Sequence, residues 1–497
     1  MLILPACLTA AGPQTQTAPA PILVSVVNAS LPVTLGVLIS EAAGVYDATQ
    51  LGVNDAEGKP APSQMRALAR WRGAVNDASK PIKWLLVDFK PATGGAHFLT
   101  RGARSATQPG SQPVAIDQSG STIRLANSQL RLELSKQGEA LVRSFKLGEG
   151  ETLRAPISLQ TALPRRAIIT KIASPDTVIV TDATLFKAGD AVRFEHVDAL
   201  KWDAPAGSAR LVTGDWSFAA NRRYRLDEGT PREEEVEVSS SQSGDLRTAT
   251  ALKFNHAAGA TIRDLSVEGE TASVKSASGQ TVQFTAPLKS LRVAGEKLFV
   301  SGSANITATA VIERATVEES NSLRAVVRQD GYFRSDAGRT PPTIAFTLRY
   351  YVYADQPFVR VRLRMMNDGV FGFGADRTFQ PPFPQHAILR SLLVLLPTVA
   401  PSSGVSQILT AGEARASLAK KQSGASLVAG PLEVAVPEFV ENYPKALKGD
   451  GDGIRFDVLP DTGGDYIFDG ARAKTTDFYL GRQTISARAL TNSMNAT

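Results

Sequence analysis

A single cysteine, Cys7, stands among 497 residues, so the chain forms no internal disulfide and holds none of the multi-cysteine metal motifs. The four histidines, His97, His196, His256 and His386, lack metal-ligand spacing and read as ordinary packed or surface residues. Gly-x-Ser-x-Gly, His-Glu-x-x-His and phosphate-loop patterns are absent, which removes the common hydrolase, zinc-protease and nucleotide signatures. No run reaches the ~20 apolar residues of a membrane span. Clustered basic charge is missing as well: the formal +6 is spread along the chain. That excludes a nucleic-acid footprint and favours an acidic substrate such as a polyuronate. Sustained helical periodicity is the last absence. The best helix-like stretch, Gln64 to Arg70, would make about two turns at most.

What the chain has is strand and turn chemistry. Hydrophobic residues make up 43%, with 40 Gly and 29 Pro, a turn-rich globular composition long enough for several domains. Gln64 to Phe89 is the most informative stretch. The apolar, branched run Ile82 to Phe89 follows the turn-forming cluster Asn76-Asp-Ala-Ser, which predicts a β-hairpin. Thr34 to Ile39 is a further branched run, and Leu51-Gly-Val-Asn-Asp-Ala-Glu-Gly-Lys-Pro reads as a strand ending in a turn. Together they suit a small β-barrel over residues 23–110, with Trp71 and Trp84 expected in its core or, on the other reading, as a sugar-stacking platform.

A linker-like segment, Arg101 to Pro113, leads to a second pattern in which Leu130, Leu132 and Leu134 alternate with polar residues, as in a half-buried strand. Residues 111–480 are expected to form a large antiparallel β-sandwich, interrupted at about 165–261 by a small β module. In that module Trp216, Arg222 and Tyr224 could line a glycan groove, because aromatics beside arginines suit sugar rings that bear carboxylates. The acidic run ending Glu233-Glu-Glu reads as a solvated edge. Further on, Arg360, Arg362 and Arg364 alternate with Val359, Val361 and Leu363, putting three guanidinium groups on one sheet face. The row is either paired with acidic neighbours or a polyanion-binding face. Glu318 and Glu319 are adjacent, so on a regular strand they point opposite ways.

Several of these elements resemble, in order, the exo-rhamnogalacturonan lyase-like (YetA-like) family. Leu35-Gly-Val, Asp55-Ala-Glu-Gly-Lys-Pro-Ala-Pro-Ser-Gln, Ala69-Arg-Trp and Ile82-Lys-Trp-Leu-Leu-Val-Asp-Phe look like its N-terminal RIFT-related barrel. Leu323-Arg-Ala-Val-Val, Leu348-Arg-Tyr-Tyr-Val-Tyr-Ala and Leu432-Glu-Val-Ala-Val-Pro-Glu-Phe-Val-Glu-Asn-Tyr-Pro-Lys look like its central β-sandwich. The chain departs from the pattern at Ala78, where the family has Gly, and at Val440, where Trp is common. The resemblance implies an all-β fold and work on rhamnogalacturonan-type acidic polysaccharide by β-elimination. It makes Tyr443 and Lys445, in the most family-like segment, the catalytic candidates. The family's β portion leads into an α/α toroid; none is written before Thr497, so the chain is expected to be a fragment or the stand-alone β part of a larger enzyme. The other open reading is a non-catalytic carbohydrate-binding or surface structural protein. Cofactor use is left open, no metal ligands are assigned, and the expected partner is an acidic polysaccharide, not nucleic acid.

Residues 1–22 read as a leader or tether, and 481–497 as a polar tail. Leu4-Pro-Ala-Cys7 followed by a small, polar run resembles a lipobox with Cys7 as the lipidated residue, although only six residues precede it. A secreted, periplasmic or outer-surface lipoprotein is the expectation, touching the membrane only through Cys7.

Overall fold

The structure, a computed structural model, describes residues 22–26, 32–102, 112–181, 183–213, 218–228, 230–267, 269–289, 292–300, 305–335, 338–339, 344–367, 387–420, 422–462, 466–468 and 473–482. The fold is all-β, as alternation and turn spacing predict, with a closed six-stranded barrel and a large antiparallel sheet. No helix among the described residues is long and apolar enough to cross a membrane.

The first unit is two antiparallel sheets around one core. Strands Ile22–Val26, Gly95–Arg101, Leu51–Asp55 and Pro60–Ala61 form one, and Val33–Leu38, Ile82–Phe89 and Ser63–Arg70 the other. Val33, Val37, Val53, Leu85, Val87 and Phe89 fill the space between them. The hairpin is present, and Gln64 to Arg70, the most helix-like stretch of the sequence, lies in its first strand. That segment pairs with Ile82–Phe89, exposing Gln64, Arg66 and Leu68 while Met65 and Ala67 pack on the core. Cross-strand pairing along a period of two thus overrides a short local helix preference. In the hairpin's connection, Asp77 Oδ1 accepts hydrogen bonds from the Ser79 amide at 3.1 Å and hydroxyl at 2.6 Å. The left-handed residue of this connection is Arg72 (φ 54°), so Ala78 is never asked for the conformation that glycine adopts cheaply. Trp84, by contrast, is not core: it is 40% exposed. Even-numbered positions of its strand after Ile82 lie on the sheet's outer face, opposite Leu85 and Val87.

The sandwich is a 13-stranded antiparallel sheet that curls over itself, packed with a five-stranded sheet built from residues 115–151. One core serves both, from Leu125 and Phe145 to Val361, Phe456 and Leu480. Phe456 and Phe478, from strands well separated in the sheet order, meet edge-on at 5.6 Å. Strand Ser158–Leu163 pairs directly with Ile306–Ser320, Leu163 opposite Ile306. The chain therefore leaves the sandwich and returns to the same place, and the excursion is larger than the expected 165–261. It contains the closed barrel (Arg166–Ser174, Thr177–Val180, Thr281–Phe284, Thr271–Ser278, Ala191–Glu195, Lys297–Val300) and a six-stranded sheet between Val197 and Asp264. The α-helix Ala411–Ala419 went unread in the sequence. Its start carries a capping box, Thr410 accepting from the Glu413 amide while Glu413 accepts from the Thr410 amide.

Candidate anion-binding cleft

Strand Phe358–Asn367 buries Val359, Val361, Leu363 and Met365 in the sandwich core, which turns Arg360, Arg362 and Arg364 outward. Register then fixes their neighbours. Arg362 lies opposite Arg349 on one side and Asp477 on the other, Arg349 lies opposite Arg328, and Arg360 lies opposite Tyr351. Three arginines directly in register repel one another, and such a row is kept only where acids interleave or an anion is to be bound. Acids do interleave. Arg362 forks Asp477 through Nε and Nη2 at 2.8 and 2.9 Å, and Arg360 also donates to Asp477. Arg349 forks Glu318 at 2.7 and 3.0 Å, and Arg328 Nε donates to Asp330 at 2.8 Å. Burial pushes the Asp477 carboxyl up, but Arg362 and Arg360 outweigh it and hold the group below its usual range.

Glu319 forks Arg324 at 3.0 and 3.2 Å, so Glu318 and Glu319 serve the same cleft despite being adjacent. The expectation that they face apart fails because the strand pairing slips between Val317 and Glu319. A bulge there re-aims the following side chains.

The first unit closes one side. Arg324 is 3% exposed and pairs with Asp88 at 2.7 Å across the junction, while its Nη1 donates to Thr34 Oγ1 at 2.8 Å and Thr34 donates to Asp88. Burial lifts the Asp88 carboxyl to about 6, against the opposing pull of Arg324. Lys90 and Asp355 form a second ion pair across the same junction. Between the first unit and the sandwich face opens a cleft of about 550 Å³ lined by Arg66, Arg324, Arg349, Arg360 and Arg362, with Glu318, Glu319, Tyr351, Thr34, Leu86 and Val326. Tyr351 sits between two cations, the guanidinium carbons of Arg324 and Arg360 each 5.5 Å from its ring centre. Arg66 makes no ion pair among the described residues. Four of the five guanidinium groups are paired with Asp88, Glu318, Glu319 or Asp477, and their remaining N–H donors, together with those of Arg66, suit a planar carboxylate.

The structure brings Arg360 and Arg362 into the cleft and leaves Arg364 outside its lining, exposed on the same face, with Nη2 3.8 Å from Met366 Sδ. Tyr443 and Lys445 stand elsewhere. Lys445 is fully buried, donating from Nζ to Thr476 Oγ1 at 3.2 Å and lying over the Phe456 ring. Thr476 and Asp477 are consecutive on one strand and face opposite ways, so Lys445 is through the sheet from the arginines. Tyr443 is 39% exposed in the loop that leads to Lys445. Burial, reinforced by Lys474, depresses the Lys445 ammonium to about 7 against the opposing charge of Glu438. A depressed pKa is what a catalytic lysine needs, but at 0% exposure this one meets no substrate.

Tyr224 is fully buried, its hydroxyl donating to Ala219 O at 2.7 Å. Arg222 is committed to buried Asp264 at 2.7 Å and Glu296 at 3.4 Å, a network between the inserted barrel and its neighbouring sheet. Neither has the open surface a sugar ring requires, so the glycan-groove expectation is corrected for both; Trp216 and Cys7 lie outside the described residues. Arg324, Arg349, Tyr351, Arg66 and Asp88 were not singled out from sequence. The signal for two of them existed, since Arg349 and Tyr351 alternate with buried Leu348 and Tyr350.

A stability prediction follows from Lys445. Its folded pKa is lowered, so the unfolded chain holds the proton more tightly between about pH 7 and the ordinary lysine value of 10.5, and Lys445's contribution to stability rises with pH across that window. Lys445→Met is expected to raise the melting temperature at and below pH 7 and to flatten this pH dependence while leaving glycan binding intact. Thermal denaturation across pH, with a binding assay alongside, checks both.

Residues 242–371 match the family model described as the central beta sandwich domain of PcRGLX-like proteins. The chain matches no curated protein. The matched span is a minority of the chain, yet it contains every sandwich residue that lines the cleft.

Proposed function

We propose that the cleft binds the uronate carboxylates of a rhamnogalacturonan-type acidic polysaccharide, and that the chain is the β portion of an exo-rhamnogalacturonan lyase-like protein working by β-elimination. The carrying observation is the convergence of five arginines on one cleft with Tyr351 between two of them. The match at residues 242–371 to a PcRGLX-like sandwich supports the substrate class. A secreted or Cys7-anchored placement fits a polymeric substrate.

β-Elimination removes the proton at C5 of a uronate, forms the C4–C5 double bond, and breaks the C4–O bond to a leaving oxygen that takes up a proton. Guanidinium N–H groups on the C6 carboxylate stabilise the charge that develops on it as the C5 proton departs. Glu318 and Glu319 are held in arginine forks, so the proton transfer is assigned to the hydroxyl of Tyr351, whose ring lies beside two guanidinium groups.

The test is ultraviolet absorbance of the unsaturated uronate during incubation with rhamnogalacturonan. A rise is expected, reduced by roughly a hundredfold in Tyr351→Phe with binding retained. A flat trace from the unaltered chain that still binds the polymer would favour the carbohydrate-binding reading, and a rise unaffected by Tyr351→Phe would remove Tyr351 from the chemistry.

A further inference from the structure

The outer face of the sheet formed by Val33–Leu38, Ile82–Phe89 and Ser63–Arg70 reads as successive rows leading away from the cleft. Nearest the sandwich, Thr34 lies opposite Asp88, the residues that meet Arg324. In the next row Gly36 and Arg66 flank Leu86, the latter two lining the cleft. In the third, Leu38 lies opposite Trp84, and the bulge after Ala67 leaves Leu68 beside them. Each row is two residues, about 7 Å, from the last, so Trp84 lies roughly 14 Å from the Asp88 row.

This third row is apolar and open: Leu38 is 51% exposed, Leu68 44% and Trp84 40%. Gly36 matters here. A Cβ at position 36 would lie 4.0 Å from Trp84 Cε3, in van der Waals contact with the ring, so a bulky side chain such as leucine there can cover indole surface that glycine leaves open. The strip from arginines to tryptophan is therefore continuous, with Arg66 between its charged and apolar ends.

Resting on the proposed reading of the cleft, we infer that Trp84, Leu38 and Leu68 form a second subsite that takes the apolar face of a neutral, methyl-bearing 6-deoxy sugar one or more units from the uronate held by the arginines. A pyranose ring presents axial C–H groups to an aromatic face, and the indole supplies one at little conformational cost. Flanking leucines offer no hydrogen-bond partner for an exocyclic hydroxymethyl and a good surface for a methyl. The subsite thus distinguishes a polymer that alternates acidic and deoxy sugars from one built of uronates alone.

Calorimetric titration of the full chain with two oligosaccharide sets, one alternating uronate and 6-deoxyhexose and one of uronates only, tests this. Trp84→Ala is expected to weaken the alternating set about tenfold and leave the uronate-only set unchanged. Trp84→Phe should recover much of the loss, and Gly36→Leu should reproduce it with Trp84 intact. Trp84→Ala binding both sets like the unaltered chain, or losing both equally, would overturn the subsite while leaving the cleft reading in place. If the unaltered chain binds neither set, the cleft reading fails and this inference with it. An unchanged melting temperature in Trp84→Ala excludes a folding defect; should that variant unfold, Gly36→Leu decides alone.

Discussion

Replacing Arg360 and Arg362 together by alanine is expected to weaken binding of uronate-bearing oligosaccharides by about a hundredfold or more. Each guanidinium can give a carboxylate hydrogen bonds between charged groups, worth about 1.5–3 kcal/mol apiece, and the two project from one strand with their positions fixed by Asp477. Losing both also strips Asp477 of the cations that keep it ionised despite burial. The variant's melting temperature should therefore fall, and binding must be measured where it is fully folded. Arg362→Lys separates the effects: it keeps the charge but not the planar fork, so most of the fold should survive while affinity drops. Calorimetry on the three proteins reads the affinities, and thermal denaturation reads the fold.

The second large effect belongs to Arg324, which joins the first unit to the sandwich. Its guanidinium is almost wholly buried between Asp88, Thr34 and Glu319. Arg324→Met would leave two carboxylates without their cation, at a cost of about 3–5 kcal/mol. The pH dependence has a definite sign. The folded Asp88 pKa is about 6, above the ordinary 3.8, so the fold favours the neutral acid. Asp88's contribution to stability is present in full below about 3.8 and lost as pH rises through about 6. Without Arg324 the buried carboxylate is disfavoured further, so Arg324→Met should lose most at neutral pH and least in acid. Denaturant unfolding at about pH 4 and about pH 7 checks this, and adding Asp88→Asn should recover part of the neutral-pH loss.

What the sequence made legible follows from which forces are local. The all-β fold and the hairpin were readable because alternation and the Asp77 turn act over a few residues. So was the outward row Arg360, Arg362 and Arg364, for the same period-of-two reason. The cleft was not readable, because it is a product of register. Arg349 and Tyr351 join the row only once strands Ile344–Tyr353 and Phe358–Asn367 are paired, and Arg324 joins only when the first unit docks against it Asp88 and Thr34, the latter 290 residues away in sequence. Glu318 and Glu319 show the limit most plainly, since simple alternation separates them and one slip in pairing reunites them. Lys445 shows the reverse error. It was singled out by a resemblance in a segment that lies outside the matched residues 242–371, and this lysine packs against Phe456 in the interior.

The most direct test of the central claim compares a uronate-bearing rhamnogalacturonan oligosaccharide with the same oligosaccharide after its carboxyl groups have been reduced to alcohols, titrated into the unaltered chain. If the arginine cleft is the binding site, the acidic form binds, its affinity falls as salt is raised, and carboxyl reduction removes most of the binding. Equal binding of the two forms, insensitive to salt, would contradict the account.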